Sequence, residues 1–246
     1  MTNLSWKKTW KALFIGAAAA VVIMAFNAKV GTKQGIDFKV TEKKIPLYLK
    51  TLDFIDRHYN YSNLVSGITK PGGTVDEKVM DIFKWTFVNI RRQPTSLPTV
   101  DDHPWHIIVR GYGAGEQYSD VFTTLCTYAG APAYFILVKS RDGSRRYPFS
   151  VVRMNGRERV FDPYNGVYFV SGNGEQAGIE DVAAMRAQKI CLSGEPDVDY
   201  GEYLPDLMSP KNTVIRRASA QDPLGRMKAA IAGAVKMSGL WGGKKK

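Results

Sequence analysis

A glycine-rich stretch that leads into a helix is the first feature of the chain with potential chemistry. Residues 111–117 are Gly-Tyr-Gly-Ala-Gly-Glu-Gln, and the apolar spacing that follows predicts a helix from Glu116 to Ala129. The N–H groups and the positive dipole at the start of a helix attract a carboxylate or a carbonyl oxygen. Glu116 and Asp120 could form a carboxylate pair here, although acids in a first helical turn also simply complement the dipole.

Two further groups near this helix offer metal-ligand or nucleophilic chemistry. The stretch Asp101–His106 has a His-x-x-His spacing with flanking acids, which also suits an ordinary solvated loop. Cys126 lies ~16 Å along the helix from Gly115, on the apolar face, where a thiol packs as a small hydrophobe. The chain has one other cysteine, Cys191, so a single disulfide bridge between the two is possible. No phosphate-loop, dinucleotide-binding or zinc-ribbon pattern occurs, and we predict no metal and no cofactor.

The net charge of +11 is concentrated at the two ends of the chain. Residues 1–44 contain eight lysines and arginines against two acids, and residues 213–246 contain eight against one. Residues 45–212 contain 18 basic and 20 acidic residues, so that the central region is slightly acidic. This distribution argues against nucleic-acid binding. Basic arms next to apolar stretches suit an anionic lipid surface better, although a basic tail can also be merely solvated.

The N-terminal residues 1–30 have the layout of a membrane helix. Three lysines, the last of them Lys11, precede an uncharged apolar run from Ala12 to Phe26, which is near the lower length limit for a spanning helix. A cleaved signal peptide is the alternative, but cleavage after Ala28 would place bulky Phe26 at position −3. We therefore predict a retained single-pass anchor in the inner or cell membrane, with the domain facing the periplasm or the exterior.

The C-terminal residues 213–246 are predicted to be a basic tail. Within this tail the apolar residues Met227, Ile231 and Trp241 can share one face of an amphipathic helix. Such a helix fits either a membrane interface or the surface of the domain itself.

Residues 45–212 are predicted to form one α+β domain, in which helices precede an antiparallel sheet. Helical spacing of apolar residues runs through 45–60 and again after a capping box at Thr74–Glu77. Four runs rich in β-branched and aromatic residues are predicted as strands: 133–139, 146–154, 157–162 and 167–170. A further helix is predicted around Ile179–Ile190, and residues 31–44 are predicted to be a linker.

The order of these parts resembles the transglutaminase-like superfamily, which shares the papain-type cysteine-hydrolase fold. In that family a glycine-rich turn presents a catalytic cysteine at the start of a buried helix, which ends in Gly-x-Pro-Ala. A strand then carries a histidine followed two residues later by an aromatic residue, and the next strand ends in Asp-Pro. The chain matches this frame, over roughly residues 45–170, at Gly113, the helix 116–129, Gly130-Ala131-Pro132-Ala133, Phe149 and Asp162-Pro163.

Two of the three catalytic positions of the family differ in this chain. The family's Gly-x-Cys is Gly-Ala-Gly here, which places Gly115 at the position of the nucleophile. The family's His-x-Trp is Tyr-Pro-Phe here, which places Tyr147 at the position of the base, whereas the orienting Asp162 is kept. Glycine has no side chain to attack with, and tyrosine accepts protons poorly at neutral pH because its ordinary pKa is about 10.

From these departures and the predicted anchor we expect a catalytically inactive, membrane-anchored domain that acts as a binding or scaffolding subunit of an envelope-associated complex. The handling of a surface polymer is suggested only by the membrane context and by analogy of fold. A pocket shaped for an acyl group can still bind a peptide or polymer, or it can be closed. The residues predicted to line the old cleft are Trp105, Gly113, Glu116, Gln117, Tyr147, Phe149 and Asp162.

The alternative is an active hydrolase or acyltransferase with relocated catalytic groups, for which His103 and His106 are the candidates. The expected partners are a membrane and a protein, peptide or polymer ligand, and not a nucleic acid.

Overall fold

The computed structural model describes residues 3–36, 39–98 and 101–218. The chain divides into two compact units, residues 1–57 and 58–246. The first unit contains helix α1, the two strands of a hairpin and the start of helix α2. The bounds of these elements are α1 Asn3–Asn27, β1 Lys29–Ile36, β2 Lys39–Pro46 and α2 Leu47–Ile68.

Helix α1 includes a segment of 19 residues, Thr9–Asn27, that is long and apolar enough to cross a membrane. A signal sequence has the same properties. The hairpin that follows includes residues 31–44, which were predicted to be a linker, and its strands pair antiparallel from Lys29 opposite Pro46 to Ile36 opposite Lys39. Its described side chains are exposed or half-buried, so the sequence lacks the apolar alternation by which strands are recognised.

The second unit contains two helices, α3 and α4, that pack against a central helix, α5. Their bounds are α3 Val75–Asn89, α4 Pro104–Arg110 and α5 Gly115–Tyr128, and the short strands β3 Arg91–Arg92 and β4 Tyr112–Gly113 form a parallel pair. The predicted capping box is confirmed, because Thr74 Oγ1 accepts the Glu77 N–H at 3.2 Å and the Glu77 carboxylate accepts the Thr74 N–H at 2.8 Å. Helix α4 was not predicted.

A six-stranded antiparallel sheet with the strand order β10-β5-β6-β7-β8-β9 completes this unit. Its strands are β5 Ala133–Lys139, β6 Arg146–Met154, β7 Arg157–Asp162, β8 Val167–Val170, β9 Gln188–Cys191 and β10 Thr213–Ile215. The four predicted strands are confirmed, and so is the α+β fold class.

Two expectations for the last third of the chain need correction. The helix predicted for Ile179–Ile190 is wrong beyond its first turns, because α6 ends at Ala183 and Met185 adopts a left-handed φ of 57°. The rest of that stretch forms the edge strand β9. Residues 213–218, predicted to be tail, add strand β10 to the sheet and bury Ala218. The predicted amphipathic helix lies outside the described residues.

Both faces of the sheet are covered. On one face α5 lies between the sheet and α3, and the buried residues there include Phe83, Phe122, Leu125, Val152 and Phe161. On the opposite face the sheet packs against α6 and two 3₁₀ turns, Tyr200–Glu202 and Leu204–Asp206. Because alternate residues of a strand point to opposite faces, Tyr147 and Phe149 of β6 point away from α5, whereas Val152 points towards it.

Candidate functional site

A buried carboxylate, Asp162, lies at the centre of the candidate site. It ends strand β7, its side chain is inaccessible to solvent, and it accepts five hydrogen bonds. Oδ2 accepts from Tyr147 Oη at 2.7 Å, Tyr200 Oη at 2.6 Å and Asn165 Nδ2 at 2.9 Å. Oδ1 accepts the backbone N–H groups of Tyr164 at 3.1 Å and Asn165 at 3.2 Å. These last two bonds form the turn that follows β7.

The orientation of the Asn165 amide is set by Arg92 of strand β3. Arg92 Nη2 donates to Asn165 Oδ1 at 2.9 Å. Since a guanidinium can only donate, the amide nitrogen must point the other way, where it donates to Tyr147 Oη at 2.5 Å and to Asp162. The guanidinium also lies over the ring of Tyr164, 4.6 Å from its centroid. Arg92 therefore holds the network in one arrangement.

Burial and charge keep both tyrosines of this network protonated. Burial, followed by the charge of Asp162, raises the pKa of Tyr147 and the pKa of Tyr200 above the ordinary value of tyrosine. Burial also raises the pKa of Asp162, and the hydrogen bonds from Tyr200, Tyr147 and Asn165 oppose that shift. At neutral pH Tyr147 is thus a hydrogen-bond donor to Asp162, and it does not accept a proton as an imidazole would.

Gly115 lies at the first position of α5, next to the strand that carries Tyr147. A Cβ added to Gly115 would lie 3.9 Å from Pro148 Cγ, which is an ordinary van der Waals distance. The structure therefore brings Tyr147 and Asp162 into direct contact and places Gly115 beside the residue that follows Tyr147. A proline is tolerated here because β6 begins to pair with β7 only at Ser150, so the Pro148 nitrogen has no ladder partner to lose on that side.

Gln117 of α5 is buried, and both ends of its side-chain amide form hydrogen bonds with neighbouring residues. Its Oε1 accepts from Arg110 Nη2 at 2.9 Å and from the Ala114 N–H at 3.0 Å. Its Nε2 donates to Asp102 Oδ1 at 2.6 Å. The side chain that was predicted to line the cleft thus joins the 101–110 segment to the turn before α5.

The other predicted cleft residues divide into buried and partly accessible ones. Gly113, Phe149 and Asp162 are buried, whereas Trp105, Glu116 and Tyr147 are half-buried. The accessible side of Tyr147 borders a cleft of about 490 Å³. Besides Tyr147, this cleft is lined by Arg145, Arg146, Asp197, Val198, Asp199, Glu202 and Tyr203.

The Asp101–His106 stretch contains a carboxylate–imidazole pair. Asp101 Oδ2 pairs with His106 Nδ1, and Asp101 Oδ1 accepts the His103 N–H at 2.7 Å. His103 Nδ1 accepts the Trp105 N–H at 3.2 Å and so caps α4. The His106 side chain is 53% exposed. An oriented imidazole of this kind is part of a hydrolase site only if a nucleophile lies within hydrogen-bond reach of Nε2.

Neither cysteine forms a disulfide, and neither has the surroundings of an activated thiol. Cys126 is completely buried in the core, and burial raises its pKa well above the ordinary value. Cys191 is half-buried on β9, and its pKa is also raised by burial. A reactive cysteine needs a lowered pKa. No group of three or more potential metal-ligating side chains is found among residues 3–36, 39–98 and 101–218.

A second buried carboxylate, Asp120, lies on α5 and pairs with the end of the described chain. Asp120 Oδ2 accepts from Arg217 Nη1 at 3.1 Å. Burial raises the pKa of Asp120 to about 7, and the charge of Arg217 opposes this shift. Glu116 contributes only a smaller upward influence through its charge. Asp120 therefore acts as the attachment point of the segment after β10, rather than as half of an exposed carboxylate pair with Glu116.

Sequence reasoning missed three members of the Asp162 network: Arg92, Asn165 and Tyr200. Asn165 carried a usable signal, because an aspartate that opens a turn commonly accepts backbone N–H groups from the residues just after it. Tyr200 carried none, since it lies 38 residues after Asp162 in an irregular segment.

Comparison with protein families gives a match within the second unit. Residues 62–172 match the family model of the transglutaminase-like superfamily. No curated protein matches the chain in sequence. Residues 62–172 are therefore similar to the transglutaminase-like superfamily, as the sequence motifs predicted.

Three solved structures match parts of the chain. A candidate protease from Parabacteroides distasonis is 14% identical with a TM-score of 0.36, over 55% of this chain and 36% of that one. A candidate cysteine protease from Cytophaga hutchinsonii is 15% identical with a TM-score of 0.37, over 66% of this chain and 62% of that one. A transglutaminase is 10% identical with a TM-score of 0.37, over 68% and 53%. The chain thus spans less than two thirds of the length of each.

Proposed function

We propose that the chain is a membrane-anchored transglutaminase-like domain without cysteine–histidine chemistry, which serves as a binding or scaffolding subunit of an envelope-associated complex. The observation that supports this proposal best is the hydrogen bond from Tyr147 to Asp162. The Asp162 carboxylate, which would orient an imidazole, instead accepts hydrogen bonds from two phenols, an amide and two backbone N–H groups. At the position of the nucleophile, Gly115 offers no reactive atom.

Anchoring through α1, with the domain on the periplasmic or outer side, is part of the same proposal. The apolar segment Thr9–Asn27 has the length of a membrane span. Handling of a surface polymer is the expected setting, and it rests on analogy with membrane context and fold alone.

The binding surface that fits this role is the cleft beside Tyr147. The rings of Tyr147 and Tyr203, with centroids 5.3 Å apart, border this cleft together with charged side chains of both signs. Aromatic faces with polar groups at the rim suit a peptide or a saccharide chain. Most of the other residues predicted for the old cleft are buried, so a ligand would contact the accessible side of Tyr147.

Catalytic inactivity is tested with the full chain, purified in detergent and assayed against amide and ester substrates beside a His106→Ala variant. The expected result is no turnover above buffer for either protein. Turnover that disappears in the variant would establish the rival function, an active hydrolase built on the Asp101–His106 pair.

Binding is tested by photo-crosslinking in cells. A photo-reactive amino acid is placed at Asp197, in the cleft, or at the exposed Asn173 as the control. The proposal expects adducts from position 197 and none from position 173, and equal adducts from both positions would contradict it.

A further inference from the structure

Helix α2 begins with apolar side chains that are exposed in the part of the chain that the structure describes. Tyr48, Leu52 and Ile55 are 38%, 58% and 57% exposed. Their spacings of four and three residues place them on one face of the helix. Large exposed apolar side chains that share a face mark an interaction surface more often than isolated ones do.

The hairpin returns the chain so that this face starts next to the end of α1. The Leu47 N–H donates to the carbonyl oxygen of Ala28 at 2.9 Å, and Ala28 directly follows the last residue of α1. Lys50 Nζ donates to the carbonyl oxygen of Gly31 at 2.6 Å. These two bonds hold the first turns of α2 against the base of the hairpin, at the level where α1 ends.

The charges around this point suit a lipid headgroup region. Lys29, Lys43 and Lys44 are exposed on the hairpin, and a lysine near an anionic bilayer surface contributes about 1 kcal/mol. Tyr48 has the amphipathic ring that is enriched at membrane interfaces. The exposed acids of the same helical turns, Asp53 and Asp56, lie to one side of the apolar face, because each residue advances the helix by about 100°.

We infer that the first turns of α2 lie in the membrane interface, with Tyr48, Leu52 and Ile55 in contact with lipid beside the point where α1 leaves the bilayer. This inference rests on the proposed anchoring through α1. The apolar face of α2 then has a partner that the chain itself brings to it. Contact with the interface also fixes the orientation of the start of α2 relative to the bilayer, which a single spanning helix does not fix by itself.

The experiment uses the full chain with Cys191→Ser, in vesicles of phosphatidylcholine and phosphatidylglycerol. A polarity-sensitive fluorophore is attached through Leu52→Cys, or through Asp53→Cys as the matched control on the neighbouring, polar side. Both native side chains are exposed, so neither label disturbs the core. Cys126 is buried and does not compete for the label.

The expected result is a blue-shifted emission at position 52 that lipid-borne nitroxides quench several-fold more strongly than at position 53. Equal quenching at the two positions would overturn the inference, and so would a blue shift without lipid quenching, which indicates contact with protein. Retention of the chain in the vesicles under alkaline carbonate separates this failure from that of the anchor. Release under carbonate would overturn the anchor and this inference together.

Discussion

Tyr147 donates a hydrogen bond of 2.7 Å to Asp162, and these are the two residues that the proposed alignment assigns to the base and its orienting carboxylate. The Tyr147 phenol donates a hydrogen bond to the buried carboxylate, as an imidazole would. Because the pKa of Tyr147 is raised, however, the phenol stays protonated and does not act as a base at neutral pH. Tyr200 donates to the same oxygen at 2.6 Å. Both residues are therefore part of a buried hydrogen-bond network.

We expect this network to contribute to stability, and Tyr147→Phe tests that directly. The variant leaves Asp162 with one donor fewer and removes an acceptor from Asn165, which should lower the free energy of unfolding by about 1–3 kcal/mol. Tyr203→Phe is the matched control, because its ring packs against Tyr147 and donates no bond to Asp162. Urea unfolding followed by fluorescence measures both, and equal losses would contradict the proposed role of the Tyr147 hydroxyl.

The central part of the fold was predictable because its periodicity reports directly on burial. Strands β5 to β8 are rich in β-branched and aromatic residues, and turns separate them clearly. Helix α5 was recognised from apolar residues such as Val121, Phe122 and Leu125 at helical spacing, although the structure buries every side chain from Gln117 to Cys126 between the sheet and the other helices. Helix α4 and strand β9 are short, with seven and four residues, so neither shows enough of a period to be recognised.

The candidate site was only partly predictable, because its members come from separate elements. Asp162 and Tyr147 lie on neighbouring strands, and the resemblance to a known frame placed them. Tyr200 and Arg92 reach the same cluster from a 3₁₀ turn and from the segment after α3. No local pattern marks a residue whose role arises from a contact across 38 positions of the chain.

The two thiols should differ in reactivity. Cys126 is buried with a raised pKa, whereas Cys191 is half-buried at the edge of the sheet. An aromatic disulfide reagent should therefore modify one of the two free cysteines of the native chain and both after denaturation. Cys191→Ser should abolish the native reaction and leave the denatured one. Modification of the native Cys191→Ser variant at the rate of the denatured chain would show that the core around Cys126 is open.

Asp120 should make the stability of the domain depend on pH in a defined direction. Burial raises its pKa to about 7 from 3.8, so between these values the folded state retains a proton that the unfolded state has lost. The stability contributed by this group is fully present below about pH 4 and is lost as the pH rises through about 7, with a slope of at most about 1.4 kcal/mol per pH unit.

Urea unfolding of the native chain and of Asp120→Asn, from about pH 5 to pH 8, measures this effect. The native chain should lose roughly 1–3 kcal/mol relative to the variant between pH 5 and pH 7. Asp142→Asn is the control, because hydrogen bonds from Ser140 and Ser144 lower the pKa of Asp142. Its contribution is therefore constant over this range. If the free energies of unfolding of Asp120→Asn and of the native chain change in parallel with pH, burial does not raise the pKa of Asp120 in the way proposed.

Introducing a cysteine and a histidine at the two positions that the proposed alignment assigns to the catalytic groups tests that alignment. A side chain at Gly115 has room, since its Cβ would lie 3.9 Å from Pro148 Cγ. Its thiol would sit at the start of α5, where the helix dipole lowers a thiol pKa. In a Cys191→Ser background, Gly115→Cys is combined with Tyr147→His. Tyr147 lies on the face of β6 that points away from α5, so the imidazole acts on this thiol only by reaching around the start of β6 beside Pro148. The imidazole is shorter than the phenol, so a water molecule or a small shift of β6 must complete its contact with the carboxylate.

The pH dependence of alkylation by iodoacetamide then gives the thiol pKa in each variant. Gly115→Cys with Tyr147→Phe is the matched control, because it has the same thiol and the same lost hydroxyl but no base. The histidine-containing variant should show a thiol pKa lower by about one unit or more, since a nearby imidazolium stabilises the thiolate. Identical profiles for the two variants would mean that position 147 does not face the start of α5 closely enough to act on it. Tyr147 would then not occupy the place of the base, and its bond to Asp162 would be a structural feature unrelated to the catalytic frame.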